Sequence, residues 1–338
     1  MSLACRGRYA SEARQLADRW LPGPQRQPYS ALVGLVSDSV LISDGGLATE
    51  LEARGHDLSD PLWSARLLTD APHEITAVHT AYFRAGATIA TTASYQASFE
   101  GFAARGIGRD DAATLLRRSV ELAVRARDIA REMVDSPVGD LSVAASIGPY
   151  GAALADGSEY RGRYGLSSAA LQRWHRPRLE VLAGAGADVL ALETIPDVDE
   201  AEALVSLVHE LGVPAWLSYT IDGTRTRAGQ PLTDAFAVAV GIPEILAVGV
   251  NCCAPEAVLP AISLARITKP VIVYPNSGEH WDDRDRRWVG PRLFSGSSAQ
   301  LAREWVAAGA RIVGGCCRVR PADIAEIGRA LATAPPES

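Results

Sequence analysis

From Ser39 onward, short apolar or β-branched runs alternate with longer amphipathic stretches. The runs are Val40–Ser43, Thr88–Thr92, Leu141–Ile147, Val189–Glu193, Ala215–Thr220, Leu246–Asn251, Val271–Tyr274 and Arg311–Val313. Continuous apolar runs of this kind read as strands buried on both faces. Between them, 73–85, 110–133, 168–184, 197–211, 255–266 and 297–308 carry apolar residues at helical spacing. Several of these open on helix-start signals: Asp110, Pro196-Asp197 and Pro255-Glu256. Strand-like runs separated by helices predict parallel βα units of the α/β class, closed as a single-domain (β/α)8 TIM-type barrel over residues 39–335. The competing fold, an open doubly wound sheet, usually carries a glycine-rich dinucleotide fingerprint at its first turn. Here the first run ends Ser43-Asp44-Gly45-Gly46-Leu47, without that spacing.

Residues 1–38 differ from the rest. Arg6, Arg8, Arg14, Arg19 and Arg26 outnumber Glu12 and Asp18, and Leu-Pro-Gly-Pro at 21–24 stops any short helix. The segment is expected to be a peripheral N-terminal extension, outside the active site.

Charge narrows the functional classes. The 338 residues carry a formal net charge of −7, so no broad basic surface is expected for nucleic acid. The best apolar stretch, Ala235–Val250, is broken by Pro243 and Glu244, so no membrane span is expected. Lys269 is the only lysine and precedes Pro270 at the start of a predicted strand, which disfavours Schiff-base chemistry. The cysteines are Cys5 and two vicinal pairs, Cys252–Cys253 and Cys316–Cys317. An odd, sparse count argues against a secreted disulfide scaffold and for a reducing, cytoplasmic setting.

Barrel chemistry sits at the C-terminal ends of the strands. Those ends carry Asp44, Thr92-Ala93-Ser94, Ser146, Glu193-Thr194, Tyr219-Thr220, Asn251-Cys252-Cys253, Tyr274-Pro275-Asn276 and Gly314-Gly315-Cys316-Cys317. A pattern assigned without reference to chemistry thus gathers acids and thiols at one end. Neighbouring strand residues point to opposite faces, so one of Cys252 and Cys253 is expected to face the centre. Cys316 and Cys317 can converge only if the backbone turns, and Gly314-Gly315 gives room for that. Three inward thiolates make an open tetrahedral zinc site with one position left for substrate. Core filling and a redox pair are alternatives, whereas a closed four-cysteine site fits vicinal pairs poorly. His56 falls in a loop and His73 and His79 on a predicted surface helix, and none of the six histidines is expected as a ligand.

DGGLATELEARG (44–55), ETIPDVDEAEAL (193–204), GVNCCAPE (249–256), YPNSGE (274–279) with Trp288 following, and GGCCRVRP (314–321) together resemble the zinc-dependent homocysteine S-methyltransferases. The wording looks closest to the branch that uses S-methylmethionine or S-adenosylmethionine. The resemblance spans about 44–330 and implies the same barrel fold. It implies zinc thiolates at Cys252, Cys316 and Cys317, and acids at Asp44 and Glu193 that hold the amino-acid end of homocysteine. It extends the substrate-binding set to Gly45 and Asn251, and to Trp63, which resembles an aromatic near the methyl donor in betaine-using relatives. Cys253 departs from the family, where a small or hydroxyl residue is common. The expected partners are homocysteine and a sulfonium donor, with the oligomeric state undefined. Two alternatives remain: a betaine-using or other thiol or selenol methyltransferase of this family, and a non-catalytic zinc or redox protein.

Overall fold

The computed structural model describes residues 39–60, 62–133, 140–282, 287–294 and 296–332. The expected extension 1–38 and the last residues of the expected domain, 333–335, lie outside the described residues. The strands are β1 (Leu41–Ile42), β2 (Ile89–Thr91), β3 (Ser142–Ile147), β4 (Val189–Ile195), β5 (Ala215–Tyr219), β6 (Ile245–Asn251), β7 (Val271–Tyr274) and β8 (Ala310–Val313). They pair in parallel in the order β1-β8-β7-β6-β5-β4-β3-β2. A parallel bridge from Ser43 to Ile89 brings β1 beside β2 and closes the circle. This is the predicted (β/α)8 barrel, with each predicted run present as a strand.

The helices between strands form where the sequence places start and stop signals. Pro72 opens Pro72–Arg84 at its first turn. Ser167 Oγ accepts from Ala170 N at the start of Ser168–Ala183, and Asp197 Oδ1 caps Val198–Leu211 by accepting from Asp199 N. Gly212, at φ 65°, ends that last helix in the left-handed conformation that glycine adopts freely. Unpredicted pieces fill the loops, among them helices Leu47–Ala53 and Leu232–Ala237 and two antiparallel hairpins, Ile221–Asp222 with Arg225–Thr226 and His280–Asp282 with Arg287–Val289.

Side chains of alternate parity separate into two cores. Leu41, Ile89, Ala144, Val189, Ala191, Trp216, Ala247, Ile272 and Ile312 form one cluster inside the barrel. Their strand neighbours Ile42, Val143, Leu190, Leu192, Leu217, Val248 and Val273 join the larger core shared with the helices. One expectation fails here: His79 is fully buried, whereas its neighbour on the same helix, His73, is exposed. It shares the inner face of Pro72–Arg84 with Ile75, Val78 and Tyr82. Burial without a partner pushes its pKa down to about 4. Among the described residues no helix is long and apolar enough to cross a membrane.

Candidate active site

Glycines let the loops after β1 and β8 interlock. A Cβ on Gly45 would fall 2.5 Å from Val319 O, and one on Gly46 2.7 Å from Cys316 O. The bare backbones therefore pack directly: Gly315 N donates to Asp44 O (3.1 Å) and Gly46 N to Val319 O (2.9 Å). Tyr82 Oη donates to the same region, 3.0 Å from both Gly46 O and Val319 O. Gly314 meets β1 just as closely, with a built Cβ 2.8 Å from Ser43 O. Close approach, not a positive φ, is what Gly314 and Gly315 contribute, since neither adopts one.

This lacing presents the thiols. Strand β8 ends at Val313, and Cys316 N then donates to Pro275 O (2.7 Å) while Cys317 N donates to Asn276 Oδ1 (3.1 Å). Both cysteines now lie outside strand parity and turn toward the same space. Cys252 leaves β6 at φ 50°, a left-handed value for a residue with a Cβ. The Sγ atoms of Cys252 and Cys317 lie 3.8 Å apart and those of Cys316 and Cys317 4.0 Å apart. All three sulfurs fall within 4.8 Å of one another, and none is in a disulfide. Cys253, one residue on, packs into the barrel–helix core, where burial pushes its thiol up. The contacts from Cys316 and then Cys317 hold the Cys252 thiol well below its ordinary range, and those two thiols are raised in turn.

Two carboxyls share the cleft. Asp44 is 3 % exposed and accepts from Thr91 N at 2.8 Å and, at 3.4 Å, from Ser43 Oγ. Burial raises its pKa to about 8 in spite of those bonds, and the Glu193 charge adds to the rise. Glu193 lies where the β4–β5 register shifts, and Thr194 after it has φ 59°. Burial lifts Glu193 to about 7, opposed by the Ser146 hydroxyl that donates to its Oε1. A kink of this kind re-aims a side chain at the end of a strand. Asn251 holds it: its Oδ1 accepts from Thr194 N and Ser218 Oγ, both at 2.8 Å, and its Nδ2 donates to Thr194 Oγ1 at 2.7 Å.

The resulting cleft, about 710 Å3 counting the open solvent at its mouth, lies at the C-terminal ends of the strands. Asp44, Gly45, Trp63, Glu193, Cys252, Cys316 and Cys317 all line it. Asn251 does not; it is buried behind the wall, with its amide engaged by β4 and β5. Trp63 begins the short helical turn Trp63–Arg66 and meets Tyr95 edge-on at 6.2 Å. Tyr95 and Tyr160 also line the cleft, and sequence reasoning missed both. They come from irregular loops after β2 and β3, where neither strand nor helix period points to a functional face.

Fold and site define a class: a (β/α)8 barrel enzyme with a three-thiol cluster and two buried acids at its catalytic end. The homocysteine S-methyltransferase family model matches residues 41–331. The Escherichia coli K12 homocysteine S-methyltransferase is 47% identical over 308 residues, covering 90% of this chain and 98% of its own. The Zea mays homocysteine S-methyltransferase 4 is 46% identical over 332 residues, 92% of this chain and 96% of its own. The metallated form of the E. coli homocysteine methyltransferase MmuM superposes with a TM-score of 0.79 at 44% identity, covering 89% of this chain and 99% of that one. The chain belongs to the homocysteine S-methyltransferase family and is a methyltransferase.

Proposed function

We propose that this protein moves a methyl group from a sulfonium donor, S-methylmethionine, to the sulfur of homocysteine, with a zinc ion held by Cys252, Cys316 and Cys317. The observation that carries this reading is the thiol trio beside two buried carboxyls at the mouth of the barrel. Among the described residues, that trio is the group of His, Cys, Asp and Glu side chains spaced to hold a metal ion. The donor set fits zinc: tetrahedral Zn–S bonds of about 2.3 Å put sulfurs roughly 3.8 Å apart, close to the 3.8 and 4.0 Å found here. When bound, zinc supplies ionisation of the acceptor thiol at neutral pH and a fixed place for it.

The remaining work falls to the chain's own residues. Asp44 and Glu193 face the cleft as paired acids, and an amino-acid ammonium between them restores the charge that burial disfavours. Thr91 N and Ser146 Oγ fix the two carboxyls, so the acceptor sulfur is presented in one orientation. Homocysteine sulfur then attacks the donor methyl carbon. The S–CH3 bond of the sulfonium breaks, its electron pair stays on the departing sulfur as a neutral thioether, and the acceptor becomes methionine. Holding sulfur and carbon in line supplies roughly 7–11 kcal/mol, against about 2 kcal/mol for thiol ionisation. Trp63 and Tyr95 give the donor side an aromatic wall whose π-faces attract a sulfonium. Free thiols fit a reducing compartment, which supports a cytoplasmic location.

The test is methionine formation by reduced protein of measured metal content, given homocysteine with S-methylmethionine, S-adenosylmethionine or betaine. Turnover with S-methylmethionine that chelation abolishes and zinc restores is the expected result. Turnover with betaine alone reassigns the donor. No turnover by protein carrying one zinc per chain removes the proposed reaction.

A further inference from the structure

Among the described residues, one hydroxyl besides the thiols reaches the cluster: Tyr160 Oη lies 3.2 Å from Cys252 Sγ. Tyr160 closes the short turn Ser158–Tyr160 in the long segment between β3 and helix Ser168–Ala183. That turn is built with care. Asp156 Oδ1 accepts from Ser158 N at 3.0 Å, and Gly157 enters the turn at φ 78°. A Cβ on Gly151 would fall 2.5 Å from Glu159 N, so only glycine lets the turn close on helix Tyr150–Leu154.

The residues that follow tie this loop to the hairpin after β5. Arg163 N donates to Asp197 Oδ2 at 2.9 Å, and the Arg163 guanidinium reaches Ala228 O at 2.9 and 2.8 Å. Asp197 Oδ1 accepts from Gln230 Nε2 at 2.6 Å, drawing in the same stretch that follows the hairpin's second strand. Locked in this way, Arg227 places its guanidinium 5.9 Å from the centre of the Tyr160 ring. Tyr160 is thus anchored through its backbone, its N donating to Gly157 O at 3.1 Å, while its partly exposed ring carries a nearby cation and its hydroxyl meets the sulfur.

We propose that Tyr160 is a positioning residue of the thiolate cluster: its hydroxyl donates to Cys252 Sγ, and Arg227 holds the ring that carries it. The proposal rests on the reading of Cys252 as a metal thiolate. A hydroxyl donating to a thiolate draws charge from the sulfur and restrains its direction, as outer hydrogen bonds to metal ligands do. Cys252 needs such a restraint, because it stands at φ 50° just past the end of β6 and its direction is not set by strand geometry. The guanidinium over the ring withdraws electron density from it and strengthens the O–H as a donor.

The experiment uses full-length, reduced protein loaded with cobalt(II), comparing wild type with Tyr160→Phe and Arg227→Ala. Absorption reports the sulfur-to-cobalt charge-transfer band, and a chelator reports the rate of metal release. Tyr160→Phe is expected to bind one cobalt per chain, to move the band to lower energy as charge returns to sulfur, and to release metal about tenfold faster. Arg227→Ala is expected to move both readouts the same way by a smaller amount. A Tyr160→Phe spectrum and release rate matching wild type would overturn the proposal. Should Tyr160→Phe fail to fold, Arg227→Ala decides, and an unchanged band and release rate there overturn it equally. If wild type itself gives no thiolate-to-cobalt band, the metal-thiolate reading fails first, and the proposal falls with it.

Discussion

The Asp44 carboxyl is held in place at a cost to the fold, and that cost can be measured. Burial raises its pKa from 3.8 to about 8, so between those values the unfolded chain releases a proton that the folded chain keeps. Because the folded-state value is raised, stability is fullest below pH 4 and is lost as pH rises toward 8. At 1.36 kcal/mol per pKa unit the loss at pH 7 is on the order of 4 kcal/mol. Asp44→Asn removes the titration while its side-chain oxygen can still accept from Thr91 N, the bond now 2.8 Å long. The variant should therefore melt higher than wild type at neutral pH, by roughly 8 °C at about 2 °C per kcal/mol. The gap should widen from pH 5 to pH 8 and shrink toward pH 4. Homocysteine should narrow the gap by stabilising wild type alone, by about 2.7 kcal/mol at a hundredfold excess over Kd. Thermal unfolding across pH, with and without homocysteine at matched metal content, measures both effects. A gap independent of pH, or a variant that melts lower at pH 8, would refute the reasoning. Retained homocysteine stabilisation in the variant would remove Asp44 from substrate binding.

Three further outcomes are expected. Cys316→Ala should lose zinc and methionine formation together, whereas Cys253→Ala, which changes only core packing, should keep both; equal losses would overturn the ligand assignment. Gly249→Ala should cost more than about 3 kcal/mol in chemical denaturation, because its Cβ would stand 1.7 Å from Ile272 O within the β6–β7 pairing. His79 holds a pKa of about 4 in the fold against 6.5 ordinarily, so the unfolded chain takes up the proton first as pH falls. Its share of stability is complete above pH 6.5 and lost by about pH 4, near 3 kcal/mol. His79→Leu should flatten that part of the acid-unfolding curve.

How much of this was legible beforehand depends on the range of the forces involved. Strand runs such as Val271–Tyr274 and Val189–Glu193 announce themselves because both faces are buried, and their parallel βα alternation leaves few topologies. Strand ends follow from the runs, so Asp44, Glu193 and the cysteine pairs could be placed at one end of the barrel by pattern alone. The choice of Cys252 over Cys253 could be narrowed by parity, and the family motifs then named it. His79 misled because its helix pattern is mixed and solvation is a property of the neighbour, here the face shared with Ile75 and Tyr82.

Tertiary structure alone decided how those groups meet. The glycine contacts of Gly45 with Val319 and of Gly46 with Cys316 join positions far apart in the chain, and no local signal specifies such an approach. Asn251, read beforehand as a substrate contact, is turned inward to hold the Thr194 kink, a role visible only once β4, β5 and β6 are side by side. Tyr95 and Tyr160 reach the cleft from loops without a period, and their rings are placed by contacts such as Arg227 over Tyr160. By itself the sequence determined the barrel and which end carries the chemistry, since burial periodicity is encoded residue by residue. Distances, pKa shifts and the aromatic wall arise from long-range packing, because each depends on groups that only the closed barrel brings together.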